Sequence, residues 1–116
     1  MKKFVITLAV FILMVNVSFA QVVEPTFEKQ DDLVKATYYY DNGSIKEVGF
    51  FKDNKLHDQW ISYDQAGKIK VVAFYDNGKK DGKWYMVGED KVKEVTYKSN
   101  QIVKVEEVQE LELSFI

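Results

Sequence analysis

The side chains able to do chemistry are few, and their spacing limits what they can do. The chain has a single histidine, His57, and no cysteine. Metal centres and thiol chemistry need clustered imidazole or thiolate ligands. Neither set is present, and a lone histidine in a repeat turn reads as a solvated side chain. Paired carboxylates could serve general acid–base work on a glycan, where the two groups stand roughly 5–10 Å apart. The candidates are Asp41, Asp53, Asp64, Asp76 and Asp81. Each lies in a turn sequence, where aspartate caps local backbone, and that role outweighs catalysis. Glu106, Glu107, Glu110 and Glu112 form an acidic run that reads as a solvated face or tail. No catalytic residue, cofactor site or metal site is assigned, and a non-enzymatic protein is expected.

Aromatic side chains are the remaining resource. Tyr38, Tyr40, Trp60, Tyr63, Trp84 and Tyr85 are interleaved with lysines and form the candidate interaction surface. Aromatic platforms among cations can also stack nucleic acid bases. All 16 basic residues are lysine, so bidentate phosphate recognition by arginine is missing, and the net charge is −2. Nucleic acid is not an expected partner. Lys79, Lys80 and Lys83 alternate with Asp76 and Asp81, which leaves too little unopposed charge for adsorption to an anionic membrane.

The elements that carry these residues come from a repeat. A shift of 24 residues lays 37–60 on 61–84 without a gap. It matches Tyr39 with Tyr63, Gly43 with Gly67, Ile45 with Ile69 and Lys46 with Lys70. Val48 matches Val72, Phe50 matches Phe74, Lys55 matches Lys79 and Trp60 matches Trp84. A third, fading copy aligns at a spacing of 23: Val92, Lys93, Val95, Tyr97 and Asn100 echo Ile69, Lys70, Val72, Phe74 and Asn77. Weakening toward an end is typical of stacked repeats, whose last unit has one neighbour only. Recurrence at a fixed place also favours Trp60, Trp84, Phe50 and Phe74 as core fillers.

Turn sequences recur about every 12 residues, beginning with Asp41-Asn42-Gly43 and including Asp53-Asn54, Asp76-Asn77-Gly78 and Ser99-Asn100. Asn-Gly favours the type I′ hairpin turn, in which both central residues have positive φ. The segments between turns are rich in β-branched and aromatic residues. Strands are predicted over 34–40, 45–51, 56–63, 68–75, 83–87, 92–97 and 101–105. The expected fold is all-β: an antiparallel meander of repeated hairpin units of about 24 residues, forming an open or partly rolled sheet. Apolar residues on both sides of 69–75 fit a thin curved sheet rather than one face of a thick sandwich.

The segment Phe74-Tyr75-Asp76-Asn77-Gly78-Lys79-Lys80-Asp81-Gly82-Lys83-Trp84, preceded by Tyr63-Asp64-Gln65-Ala66-Gly67-Lys68-Ile69-Lys70, resembles the MORN-repeat-variant family. Bacterial members of that family are often labelled YwqK-like antitoxin components. The resemblance covers roughly 38–100 and is most specific at 63–84. In the first unit Asn54 and Asp58 stand where the second has Gly78 and Gly82. Both types tolerate left-handed backbone. The resemblance implies a β-hairpin repeat with a protein- or membrane-interaction role, and no catalysis.

The ends complete the domain plan. Lys2 and Lys3, the apolar run Phe4–Val15 and the small residues Ser18 and Ala20 have the pattern of a secretory signal peptide over 1–20. The apolar run is shorter than the ~18–20 residues that span a bilayer. Cleavage after Ala20 is therefore expected, with a periplasmic or secreted product and no stable membrane insertion. Residues 21–33 form an acidic lead-in, 34–105 the repeat domain, and 106–116 an acidic segment that fits either a strand or a helix, with strand favoured. The expected partner is an unidentified protein or envelope polymer. A periplasmic antitoxin or immunity-like inhibitor and a glycan-binding or carbohydrate-active protein are the alternatives.

Overall fold

The computed structural model describes residues 22–109, and among them there is no helix. The predicted signal peptide and most of the acidic C-terminal segment lie outside the described residues. Nine strands form one open antiparallel sheet in meander order. They are β1 (Thr26–Gln30), β2 (Leu33–Tyr39), β3 (Ile45–Lys52), β4 (Lys55–Tyr63), β5 (Ile69–Asp76), β6 (Lys79–Lys80), β7 (Gly82–Val87), β8 (Val92–Lys98) and β9 (Gln101–Val108). The two-residue β6 pairs with β5, and β7 continues the same arm after an interruption at Asp81.

The sheet is longer at its N-terminal end than the sequence pattern suggested. Thr26-Phe27-Glu28-Lys29-Gln30 falls within the expected lead-in, yet it pairs with β2 from Thr26↔Thr37 to Gln30↔Leu33. Its polar composition hides it, but Asp31 takes φ 55° and lets Asp31-Asp32 close a two-residue turn. At the other end β9 runs to Val108, so residues 106–108 extend the strand expected over 101–105, as the favoured strand reading of that segment has it.

The repeat survives in the register. Phe51↔Leu56, Gly49↔Trp60, Val48↔Ile61 and Glu47↔Ser62 pair in the first unit. The second unit repeats the pattern 24 residues on, with Tyr75↔Lys80, Val72↔Tyr85 and Val71↔Met86. In both units a left-handed residue, Asp58 (φ 67°) or Gly82 (φ 78°), lets the returning strand bulge before its tryptophan. Asn54 (φ 63°) and Gly78 (φ 84°) correspond in the same way at the turn.

The third unit departs from the expected spacing. Trp84 pairs with Val95 where Trp60 pairs with Ala73, so this strand sits 22 residues on rather than 23. Two residues are lost: the loop 88–91 is shorter than 64–68, and no extra residue like Lys70 interrupts the ladder. An odd slip would exchange the faces of a strand, whereas an even one keeps them. Val95 and Tyr97 thus take the places of Ala73 and Tyr75, not those of Val72 and Phe74.

Two kinds of turn alternate along the meander. Asp53-Asn54 (φ 49°, 63°), Asn77-Gly78 (48°, 84°) and Ser99-Asn100 (48°, 70°) have both central residues left-handed, as type I′ requires. Asn42-Gly43 does not: only Gly43 is left-handed (φ 86°), inside a longer loop closed by Tyr40 N–H to Ser44 O at 2.8 Å. An Asn-Gly pair therefore marks the turn without fixing its type.

With no second layer among the described residues to cover it, the sheet builds a core sideways. One cross-strand row reads Phe27, Ala36, Gly49, Trp60, Ala73, then Trp84, Val95 and Val105. Each large ring has a small residue on a neighbouring strand to lie across, as Trp60 has Gly49. A Cβ built on Gly49 would come 1.8 Å from the Trp60 ring. Ala73, Trp84, Val95 and Tyr97 form the buried cluster, with Trp60, Val71 and Tyr75 packed against it. On the reverse face Val72 is fully buried in a row with Val48, Ile61 and Tyr85.

Candidate functional site

The six candidate aromatic residues separate into three places. Tyr38 and Trp60 share the tryptophan face of the first unit, with ring centroids 5.9 Å apart and planes at 40°. Trp84 lies on the same face in the second unit, but at 7% exposure it is core. Its indole Nε1–H donates to Phe74 O at 2.8 Å, and Tyr75 and Tyr97 flank the ring at 5.2 and 4.9 Å. Lys80 caps this stack, with Nζ 4.9 Å from the Trp84 centroid and 5.3 Å from that of Tyr97. Little of Trp84 is left for a partner to touch.

Tyr40 and Tyr63 meet at the loop edge. The Tyr40 hydroxyl donates to Tyr63 O at 2.6 Å, and Lys46 Nζ stands 5.8 Å over the Tyr40 ring. This bond spans 23 residues and ties one loop to the start of the equivalent loop of the next unit, so Tyr40 acts as a staple between units. Tyr85 lies on the reverse face, in a row with Val72 and Glu94. The six residues therefore do not form one surface.

Sequence reasoning missed Phe27 and Phe51. Phe27, on the unexpected β1, meets Tyr38 edge-on at 6.3 Å and is 60% exposed. Phe51 meets Trp60 edge-on at 5.7 Å. Phe27, Tyr38, Trp60 and Phe51 make a half-open aromatic cluster on the first three hairpin strands and β4. The signal for Phe51 was its alignment with Tyr75; for Phe27 it was the Asp31-Asp32 turn.

The polar groups serve backbone structure. His57 is not a solvated turn residue: it sits half-buried in the bulge of β4, and Nδ1 accepts the Asn77 N–H at 3.1 Å. Asp76 Oδ1 is 3.8 Å from that same nitrogen. The Nδ1 lone pair is thus directed at the Asn77 backbone, with the aspartate farther away. Asp64 Oδ1 accepts N–H bonds from Ala66 and Lys68, both at 2.9 Å. Asp53 supplies a left-handed turn residue, and Asp81 N–H donates to Phe74 O at 3.0 Å. Meander order sends Asp41 and Asp64 to one end of the strands, and Asp53 and Asp76 to the other.

Two bonds lock each of the tips 77–78 and 99–100 to the unit before it. Gly78 N–H donates to Leu56 O at 2.7 Å, and Asn100 N–H donates to the equivalent Lys80 O at 2.9 Å. The second contact at each tip differs. Asn77 N–H uses His57, whereas Lys80 N–H donates to Asn100 Oδ1 at 2.8 Å.

Among the described residues one charge is buried. Glu94 is 5% exposed on the reverse face, directly across from Glu106 in β9. Lys83 Nζ stands 3.6 Å from it, and Lys104 holds Glu106 at 2.8 Å. That hydrogen bond raises the Lys104 ammonium above its ordinary value. Burial, then the charge of Glu47, then Tyr97, raise the Tyr75 hydroxyl.

Among the described residues no group of three or more His, Asp or Glu side chains is placed to hold a metal ion, and no helix is long and apolar enough to cross a membrane. No family model matches the chain, and no curated protein or solved structure matches it. What the surface does therefore rests on its own geometry.

Proposed function

We propose that the chain is an exported, non-enzymatic interaction module that docks a protein or envelope component on the open aromatic cluster of its first unit. The observation that supports this is the contrast within one face. Around Trp84 the rings are sealed by a hydrogen bond, a lysine cap and neighbours on both sides, whereas Phe27 is 60% exposed beside Tyr38 and Trp60. Partly exposed aromatic residues grouped on a rigid sheet are the usual anchors of protein interfaces. The edge-on ring packing favours a protein over a glycan, because stacking on sugars needs flat, open ring faces. An immunity-like role against a secreted toxin rests on the sequence resemblance alone.

Cross-linking in the native envelope tests the proposal. The wild-type chain should give a discrete adduct that Phe27→Ala and Tyr38→Ala lose and Lys70→Ala, at the exposed bulge of β5, keeps. Circular dichroism melts establish that all three variants are folded. The same adducts from all three variants would remove the aromatic cluster as the docking surface.

A further inference from the structure

Among the described residues the sheet ends in two unpaired edges, and they are not alike. β1 has five residues, and a symmetric pairing about its centre would set Glu28 against itself. β9 has eight residues, of which Ile102, Val103 and Val105 are 53–59% exposed. An exposed apolar edge strand is a template for another strand. The bulge that would spoil such pairing lies near the hairpin, where the register with β8 shifts between Thr96 and Tyr97. Residues 104–108 run regularly beyond it.

We propose that β9 pairs antiparallel with β9 of a second copy of this chain, about a two-fold axis through Val105. Charge complementarity selects that register. It sets Lys104 of each copy across from Glu106 of the other. Glu106 faces Glu94 on its inner side, a like-charge pair that costs stability in a sheet. In the dimer it gains a lysine on its outer side. On the tryptophan face the row Trp84, Val95, Val105 continues into Val105 and Val95 of the second copy, covering the exposed valine. An isologous contact closes at two subunits, whereas β9 against β1 would propagate without end. A single strand edge buries little area, so the association is reversible and visible in the micromolar to millimolar range.

Sedimentation equilibrium of protein expressed from the full-length sequence reads this out. Wild type should show a monomer–dimer equilibrium, with mass rising toward two copies and no further. Lys104→Glu and Glu106→Lys each set like charges across the axis and should each weaken dimerisation by at least about tenfold. Mixed together they place opposite charges at both crossings, so the mixture should recover the dimer. Both residues are exposed, and unchanged circular dichroism of each variant excludes unfolding. Because the chain lacks cysteine, Val105→Cys should oxidise to a single covalent dimer. A monomer at every concentration would overturn the proposal. So would growth beyond two copies, or a dimer that ignores the charge reversals and is lost on Phe27→Lys.

Discussion

The first and second units place the same tryptophan in the same register and obtain different results from it. Trp60 lies across Gly49 and contacts Tyr38 and Phe51, yet stays half-buried. Trp84 lies beside Ala73, donates to Phe74 O and is sandwiched by Tyr75, Tyr97 and Lys80. The difference comes from what the following strand offers. Beyond Trp84 stand Val95 and Tyr97, both buried; beyond Trp60 stand the smaller Ala73 and Tyr75, whose ring packs on Trp84 at 5.2 Å. In a one-layer sheet a ring is buried only as deeply as its neighbouring strand is bulky. The second and third units thus hold the domain together, and the first is left with aromatic surface to offer.

Truncating the two tryptophans is the strongest way to break that comparison. Trp84→Ala should cost ~3–5 kcal/mol in urea denaturation and leave the chain barely folded. Trp60→Ala should cost about half as much, in keeping with partial burial. Equal losses would mean that the two units contribute alike and that the first has no surface to spare. Gly49→Ala comes next. Its methyl group would enter the Trp60 ring, and the expected overpacking cost is ~1–3 kcal/mol. In a Trp60→Ala background the same change should be nearly neutral, and a double-mutant cycle measures the coupling. A cost that persists without the indole would place the constraint on Gly49 elsewhere. The hairpin tips sharpen the contrast further. Asn100→Ala removes the acceptor for Lys80 N–H, and His57→Ala removes that for Asn77 N–H. Each should lose ~0.5–1.5 kcal/mol, with faster amide exchange confined to its own tip.

The residues explain which of these features could be seen in the sequence. The 24-residue period of Gly, Ile-Lys, Val, Phe and Trp fixed the hairpin units, because each unit must fill the same space against the next. The left-handed turn and bulge positions were legible too, since Asn54 and Asp58 replace glycines with the residue types that best tolerate positive φ. β1 was illegible: Thr-Phe-Glu-Lys-Gln has no apolar alternation, and its five exposed residues are held by backbone pairing to β2. The third unit was misplaced by one residue because matching side chains favoured a spacing of 23, while the ladder had lost two residues, one in a loop and one from a bulge. The candidate aromatic residues were found by type, but type cannot distinguish Trp84, sealed by Tyr97, from Trp60. That distinction depends on the face taken by Val95 and Tyr97, which the one-residue error reversed.

The smallest expected effect tests whether the seal around Trp84 extends to Tyr75. Burial against that ring, followed by the charge of Glu47, holds the Tyr75 hydroxyl above its ordinary value near 10. The native state then binds this proton more tightly than the unfolded chain does. The resulting stability is fully present below pH 10 and is lost as pH rises through the native value. Tyr75→Phe keeps the ring against Trp84 and removes the proton. Its stability should match wild type near pH 7 and fall less steeply in urea denaturation above pH 10, by less than about 1 kcal/mol after solvent screening. Lys104 titrates in the same direction, but it is present in both proteins and cancels in the difference. Identical alkaline profiles would mean that water reaches Tyr75 freely, and that the second unit is less closed than the burial of Trp84 implies.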